Sequence, residues 1–211
     1  MVALGSGGDF AEVFAEERSF WSVEVDGSQV EGVDSGRSLG AAVRVVAGNT
    51  VGHAHTTDVS ERGLCLAAEV AGAVGRGHGL GGSSRPVAGP KKPGAGLGRI
   101  GDSADRAGAI ELLRRADSAA RGVTTVRQVR VGWSHLQRRI MVANSEGLIA
   151  HDEVSRTRIA VTAVASAGHG AQTGFESAAV AGNDGATGAD VDRVARLAAD
   201  RADTKLRARP A

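Results

Sequence analysis

The 211 residues carry 25 basic and 24 acidic side chains, a net charge of +1. They lack the basic excess of a nucleic-acid-binding or membrane-surface protein. Thirty-one glycines, no tyrosine and six other aromatics mean that the core is built from Ala, Val, Leu and Ile. Cys65 is alone, which excludes an internal disulfide. No basic segment followed by an apolar one opens the chain, and nowhere do 18 apolar residues run together. The expectation is a soluble, cytoplasmic protein with no nucleic-acid or membrane partner.

Residues 1–9 are short and glycine-rich. Ala11 to Glu17 suits a strand, and Phe20 to Asp26 alternates, with Trp21, Val23 and Val25 on one face. Asp26-Gly27 is a hairpin turn signal. Val30 to Val33 is a weaker strand. Leu39, Ala41, Val43, Val45 and Ala47 alternate up to a turn at Gly48-Asn49, and Val51 to Thr57 returns. A helix follows, with Asp58 and Ser60 as candidate N-caps and Glu61 placed as in a capping box. Its expected dry stripe is Leu64, Ala67, Ala68, Ala71 and Val74.

Residues 75–101 hold three of the four prolines and many glycines, with almost no large apolar side chain. Such a stretch reads as a linker between domains 1–74 and 102–211. Beyond it, Ser103 can cap a helix reaching about Arg121, with Ala109, Leu112, Leu113, Ala116 and Ala120 inward and Glu111 spaced to pair with Arg115. Val126 to Trp133 is a strand. Ile140 to Val142, Leu148 to Ala150, Thr157 to Ala165 and Gln172 to Ala178 continue a meander through turns at Asn144–Gly147 and Gly168–Gly170. A last helix covers Asp190 to Arg207, with Val191, Val194, Ala195, Ala198 and Ala202 dry, acids in its first turn and Lys205 and Arg207 at its end. The fold class is α+β: two small domains, each a mainly antiparallel meandering sheet packed with helices.

Each candidate for chemistry has a plainer reading. Gly96 to Gly101 matches G-x-G-x-x-G, with Asp117 near the distance of a ribose-binding acid, but no strand precedes it. His53 and His55 share a strand face and could grip one metal, yet no third ligand declares itself, so two histidines on a wet face is the better reading. His151-Asp152-Glu153 reads as a solvated turn whose side chains diverge. His78 and His169 lie in glycine-rich loops and His135 near a strand end. Cys65 lies beside a helix stripe with no base near it in sequence, so it reads as a small packed side chain. No catalytic, cofactor-binding or metal residue is assigned.

Several segments together resemble the N-terminal part of the TldD/PmbA family. They are Gly8 to Val13, Gly40 to Val45, Val51 to Ser60, and above all Val142 to Gly147 with Gln172 to Glu176. The likeness runs over most of residues 8–209 and fails across the glycine-rich stretch. The resemblance implies a cytoplasmic zinc metallopeptidase that cuts unfolded or small peptides, including peptide-antibiotic precursors. It also implies a homo- or heterodimer with a TldD/PmbA-type protein. The family's zinc motif, H-E-x-x-x-H, lies in a C-terminal domain. Here the six histidines are followed by Ala54, Thr56, Gly79, Leu136, Asp152 and Gly170, never by Glu. His53 and His55 stand where the family tends to carry apolar or aromatic residues, so they inherit no metal role. The expectation is a non-catalytic region whose zinc belongs to a domain beyond residue 211. Its sheets would shape a peptide cavity and a dimer interface. The rival expectations are a stand-alone peptide- or protein-binding module and an inactive remnant.

Overall fold

The computed structural model describes residues 4–5, 8–75, 106–168, 170–181 and 187–208. The elements run β1 (Phe10–Asp26), β2 (Gln29–Ala47), β3 (Thr50–Thr56), α1 (Glu61–Gly75), α2 (Arg106–Arg121), β4 (Val126–Asn144), β5 (Ile149–Ala167), β6 (Gly170–Ala181) and α3 (Gly188–Arg207). The fold is α+β. The six strands form a sheet in the order β3-β2-β1-β4-β5-β6.

Four strands are longer than the periodicity predicts; in β1, β4 and β5 the expected breaks hold neither Gly nor Pro. Arg18-Ser19 has neither Gly nor Pro, so the stretches 11–17 and 20–26 fuse into β1. Val30–Val33 and Leu39–Ala47 fuse into β2, through Gly32, Gly36 and Gly40. Gly36 earns its place there: a Cβ on it would stand 2.5 Å from Cε1 of Phe20. His135 lies inside β4 rather than near a strand end. His151, Asp152 and Glu153 lie in β5 rather than in a turn.

The turns follow glycine chemistry. The first hairpin turns on Gly27 (φ 56°) and Ser28 (φ 68°), one residue later than the Asp26-Gly27 signal. Ser28 tolerates its left-handed backbone while its hydroxyl donates to Asp117 at 2.7 Å. Asn144 Oδ1 accepts from the N–H groups of Glu146 and Leu148, both at 3.0 Å, and Gly147 (φ 84°) completes that turn.

By their contacts the described elements form two units that interleave in sequence: residues 1–18, 37–100 and 138–153, and residues 19–36, 101–137 and 154–211. In the first unit, α1 covers one sheet face over Ala11, Val43 and Val45. Its buried side is made of Gly63, Ala67, Ala68, Ala71, Gly72 and Gly75, which corrects the expected stripe: Leu64 is half-buried and Val74 is exposed. The shift has a steric cause. A Cβ at Gly52 on β3 would stand 1.9 Å from the Ala71 carbonyl oxygen, so α1 lies almost on the strand and only small residues fit between. Ser60 caps this helix, accepting from Gly63 N–H at 3.2 Å, while Asp58 accepts from Ser60 N–H.

In the second unit, α2 and α3 pack on Trp21, Val23, Val25, Val129, Val131, Trp133, Ile159, Val161, Ala163 and Ala165, all buried as the alternation predicts. Val191, Val194, Ala195, Ala198 and Ala202 of α3 are fully buried. Thr187 and Asp190 form its capping box. Gly174 on β6 serves as Gly52 does on β3, since a Cβ there would stand 2.0 Å from the Ala198 carbonyl oxygen. Glu111 lies near Arg114 (4.0 Å), whereas Arg115 forms a bidentate bridge to Asp192 of α3 at 2.8 and 2.7 Å. The tertiary partner offers a better fork than Glu111 could.

Candidate functional site

The sheet face opposite α1 carries an open groove of about 780 Å³. It is lined by Phe14 and Glu16 of β1, Ser38, Gly40 and Ala42 of β2, and His55 of β3. Small β2 side chains lower its floor; Phe14 and His55 make its walls. Glu16 does not present a free charge, because Arg138 Nε donates to it at 2.7 Å. A second groove, about 460 Å³, lies within the other unit. Gly132, Ser134, Ser22 and Ala160 line it together with Glu24, Asp34 and Arg158.

The two sheet edges differ more sharply. At β6 the turn closes on the pair Ala167–Gly170, so Thr173, Phe175 and Ser177 point their backbone groups off the sheet. All three are bonded locally. Lys205 Nζ donates to Thr173 O at 2.9 Å, Arg201 Nη1 to Phe175 O at 2.7 Å, and Ser177 N–H to Glu176 Oε1 at 3.0 Å. At β3 the turn closes on Ala47–Thr50, so Val51, His53 and His55 point outward. Among the described residues, nothing bonds those outward groups. An exposed, unbonded strand edge is a template for another strand.

His53 and His55 are both exposed on one face of β3, paired across to Arg44 and Ala42. Among the described residues, no three of His, Cys, Asp and Glu cluster as a metal would require. His135 is half-buried and its Nδ1 lies 2.9 Å from Thr157 Oγ1; loss of hydration pushes its pKa below the usual 6.5. Cys65 is half-exposed on α1 and free. Asp117 is buried and engaged by Ser28 and Arg121, a structural role. Gly96–Gly101, His78 and His169 lie outside the described residues.

One constellation escaped sequence reading. Glu17 is 2% exposed, bonded to Arg37 and within 3.4 Å of Arg139, which also reaches Glu153 at 3.8 Å. The signal was present: Glu17 shares its strand face with Ala15 and Trp21, so an acid stood at a core position. Which cations would meet it depended on strand register.

The sequence matches two family models in tandem: the PmbA/TldA metallopeptidase domain 1 over residues 11–75, and the PmbA/TldA metallopeptidase central domain over residues 100–206. The chain belongs to the PmbA/TldD family. No curated protein matches it. Among solved structures it is similar to a Thermotoga maritima protein described as a candidate modulator of a DNA gyrase (TM-score 0.73, 12% identity, 96% of this chain and 46% of that one). A Bacteroides thetaiotaomicron protein of the same description is similar too (0.71, 14%, 100% and 49%), as is TldE from Thermococcus kodakarensis (0.67, 16%, 96% and 45%). The chain spans somewhat less than half the length of these structures. Glu17 lies in the first family domain and His135 in the second. No described helix is long and apolar enough to cross a membrane.

Proposed function

We propose that these residues form the non-catalytic N-terminal part of a TldD/PmbA-type metallopeptidase acting on unfolded or small peptides. The observation that carries this reading is the tandem match to the family's first and central domains, in a chain with no His-Glu pair. Zinc and hydrolysis would belong to a further domain. The sheets would shape the peptide cavity and the interface of a homo- or heterodimer in the cytoplasm. The two grooves and the unbonded β3 edge suit extended peptide better than a compact substrate, because a strand edge binds main chain whatever the side chains.

Intact mass spectrometry of the protein from its native source tests this. A mass of about twice 21.4 kDa, as a second domain of ordinary size would add, supports it, provided that the longer protein binds zinc and cuts peptides. Hydrolysis with stoichiometric zinc by the 211 residues alone would sink it. The open β3 edge also favours a second reading, a stand-alone peptide-binding module. That reading requires a native mass of 21.4 kDa and peptide binding without cleavage.

A further inference from the structure

Helix α1 has two apolar sides. One is buried, made of glycine and alanine, and rests on β3 and β2. The other carries Leu66, Val70 and Val74 at i, i+4 and i+8, each more than half exposed. Their direction follows from handedness. The helix starts after the C-terminal end of β3 and runs back along it, so that Ala71 and Gly75 lie over Gly52. In a right-handed helix of that direction, Ala68 and Gly72 turn toward β2. Leu66, Val70 and Val74 turn the other way, beyond the free edge. The helix roofs space where a further strand would lie, beside the outward backbone groups of Val51, His53 and His55.

We propose that this edge binds an extended peptide segment as a seventh strand, with apolar side chains at alternate positions. The inference rests on reading the chain as part of a peptide-handling protein, and it names the site and the pattern recognised. One set of alternate side chains points up against Leu66, Val70 and Val74. The other set lies beside the exposed His53 and His55 and is polar. Neighbouring strands stand about 4.8 Å apart, whereas packed helices need about 8–10 Å. A second copy docking its own β3 antiparallel would bring its α1 too close on the same face, whereas a lone extended segment carries no helix to clash. The opposite edge is unsuited, because Lys205, Arg201 and Glu176 already bond its outward groups.

The test is fluorescence anisotropy of the 211-residue protein with a labelled, capped nonapeptide in which Val alternates with Glu. The control peptide has the same composition with the valines grouped together. Binding that favours the alternating peptide is expected. Val70→Glu should weaken it about tenfold or more, as should Leu66→Glu, which changes an equally exposed side chain. His53→Pro should do the same, since it deletes an N–H that points off the sheet and leaves the β2 ladder intact. Circular dichroism verifies that each variant stays folded. Glu111→Gln, at an exposed position of α2 away from both edges, should leave binding unchanged. Binding insensitive to all three β3 and α1 variants would overturn this site while sparing the peptide reading. Absence of binding would overturn the site and leave zinc-dependent hydrolysis by the longer protein to be judged on its own. Self-association abolished by His53→Pro would also overturn it, by making the occupant a second copy.

Discussion

Lys205 of α3 reaches back to the carbonyl oxygen of Thr173 on β6, 2.9 Å away, and holds closed an edge that the sheet would otherwise leave open. Arg201, one turn earlier, does the same for Phe175 and also bridges Glu176 at 2.8 Å. The Arg201→Ala/Lys205→Ala double variant should lose only about 1 kcal/mol of stability, since both side chains are exposed. Its larger effect should be on association, because two outward carbonyls of β6 become free. Light scattering on concentrated samples should show aggregates that the parent protein does not form.

Two glycines set the height of the helices above the sheet. Gly52→Ala should destabilise by about 1–3 kcal/mol, because α1 must lift off β3 to admit the methyl group. Gly174→Ala should behave alike under α3. Gly132→Ala meets nothing within 4 Å and should be neutral, or stabilising by about 0.5 kcal/mol. Urea unfolding of the three variants checks the order.

The Glu17 network should be strongly coupled. Glu17→Met leaves Arg139, whose side chain is 16% exposed, without its closest acid, and losing one partner of a buried pair costs about 3 kcal/mol. The Glu17→Met/Arg139→Met double variant should cost less than the two single changes added together, because no buried charge is then stranded. Arg37, about half exposed, keeps its hydration. A double-mutant cycle in urea reads the coupling directly, and strict additivity would count against it.

Stability should fall with acid in two stages. His135 has a folded pKa below its ordinary 6.5, so between those values the unfolded chain binds the proton that the folded chain refuses. Stability is therefore unaffected above about pH 6.5, declines below it, and levels off once the folded pKa is passed. The second stage includes Asp26, Asp190, Asp192 and Asp203. Side-chain hydrogen bonds, from Gln128 and Arg130, Thr187, Arg115 and Thr125 respectively, hold their carboxyls below the usual 3.8. What they contribute is present above pH 3.8 and lost as pH falls through their folded values. His135→Gln should remove the first stage and leave the second. Midpoints of thermal unfolding between pH 3 and 8 separate the two.

Alternation and glycine-bearing turns made most of the sheet legible. Trp21, Val23 and Val25, and Thr157 to Ala165, lie buried where a period of two places them. Long-range pairing was not legible. Nothing local tells Arg115 to bridge Asp192 rather than Glu111, or says that Arg18-Ser19 continues a strand. The apolar stripe of α1 misled because side-chain size was the wrong guide. A glycine at position 52 draws the helix down onto its own small residues and turns the larger Leu66, Val70 and Val74 outward.

The α+β class, the dry faces of most strands and of α3, and the family were legible from the residues alone, because these rest on local periodicity and short motifs. No histidine in the sequence is followed by Glu. Which edge is left unbonded among the described residues follows from long-range packing. Strand order put β3 and β6 at the margins, the two-residue turns chose which backbone groups face outward, and α3 placed cations on one edge alone. Those outcomes depend on contacts between residues far apart in the chain, which no local pattern encodes.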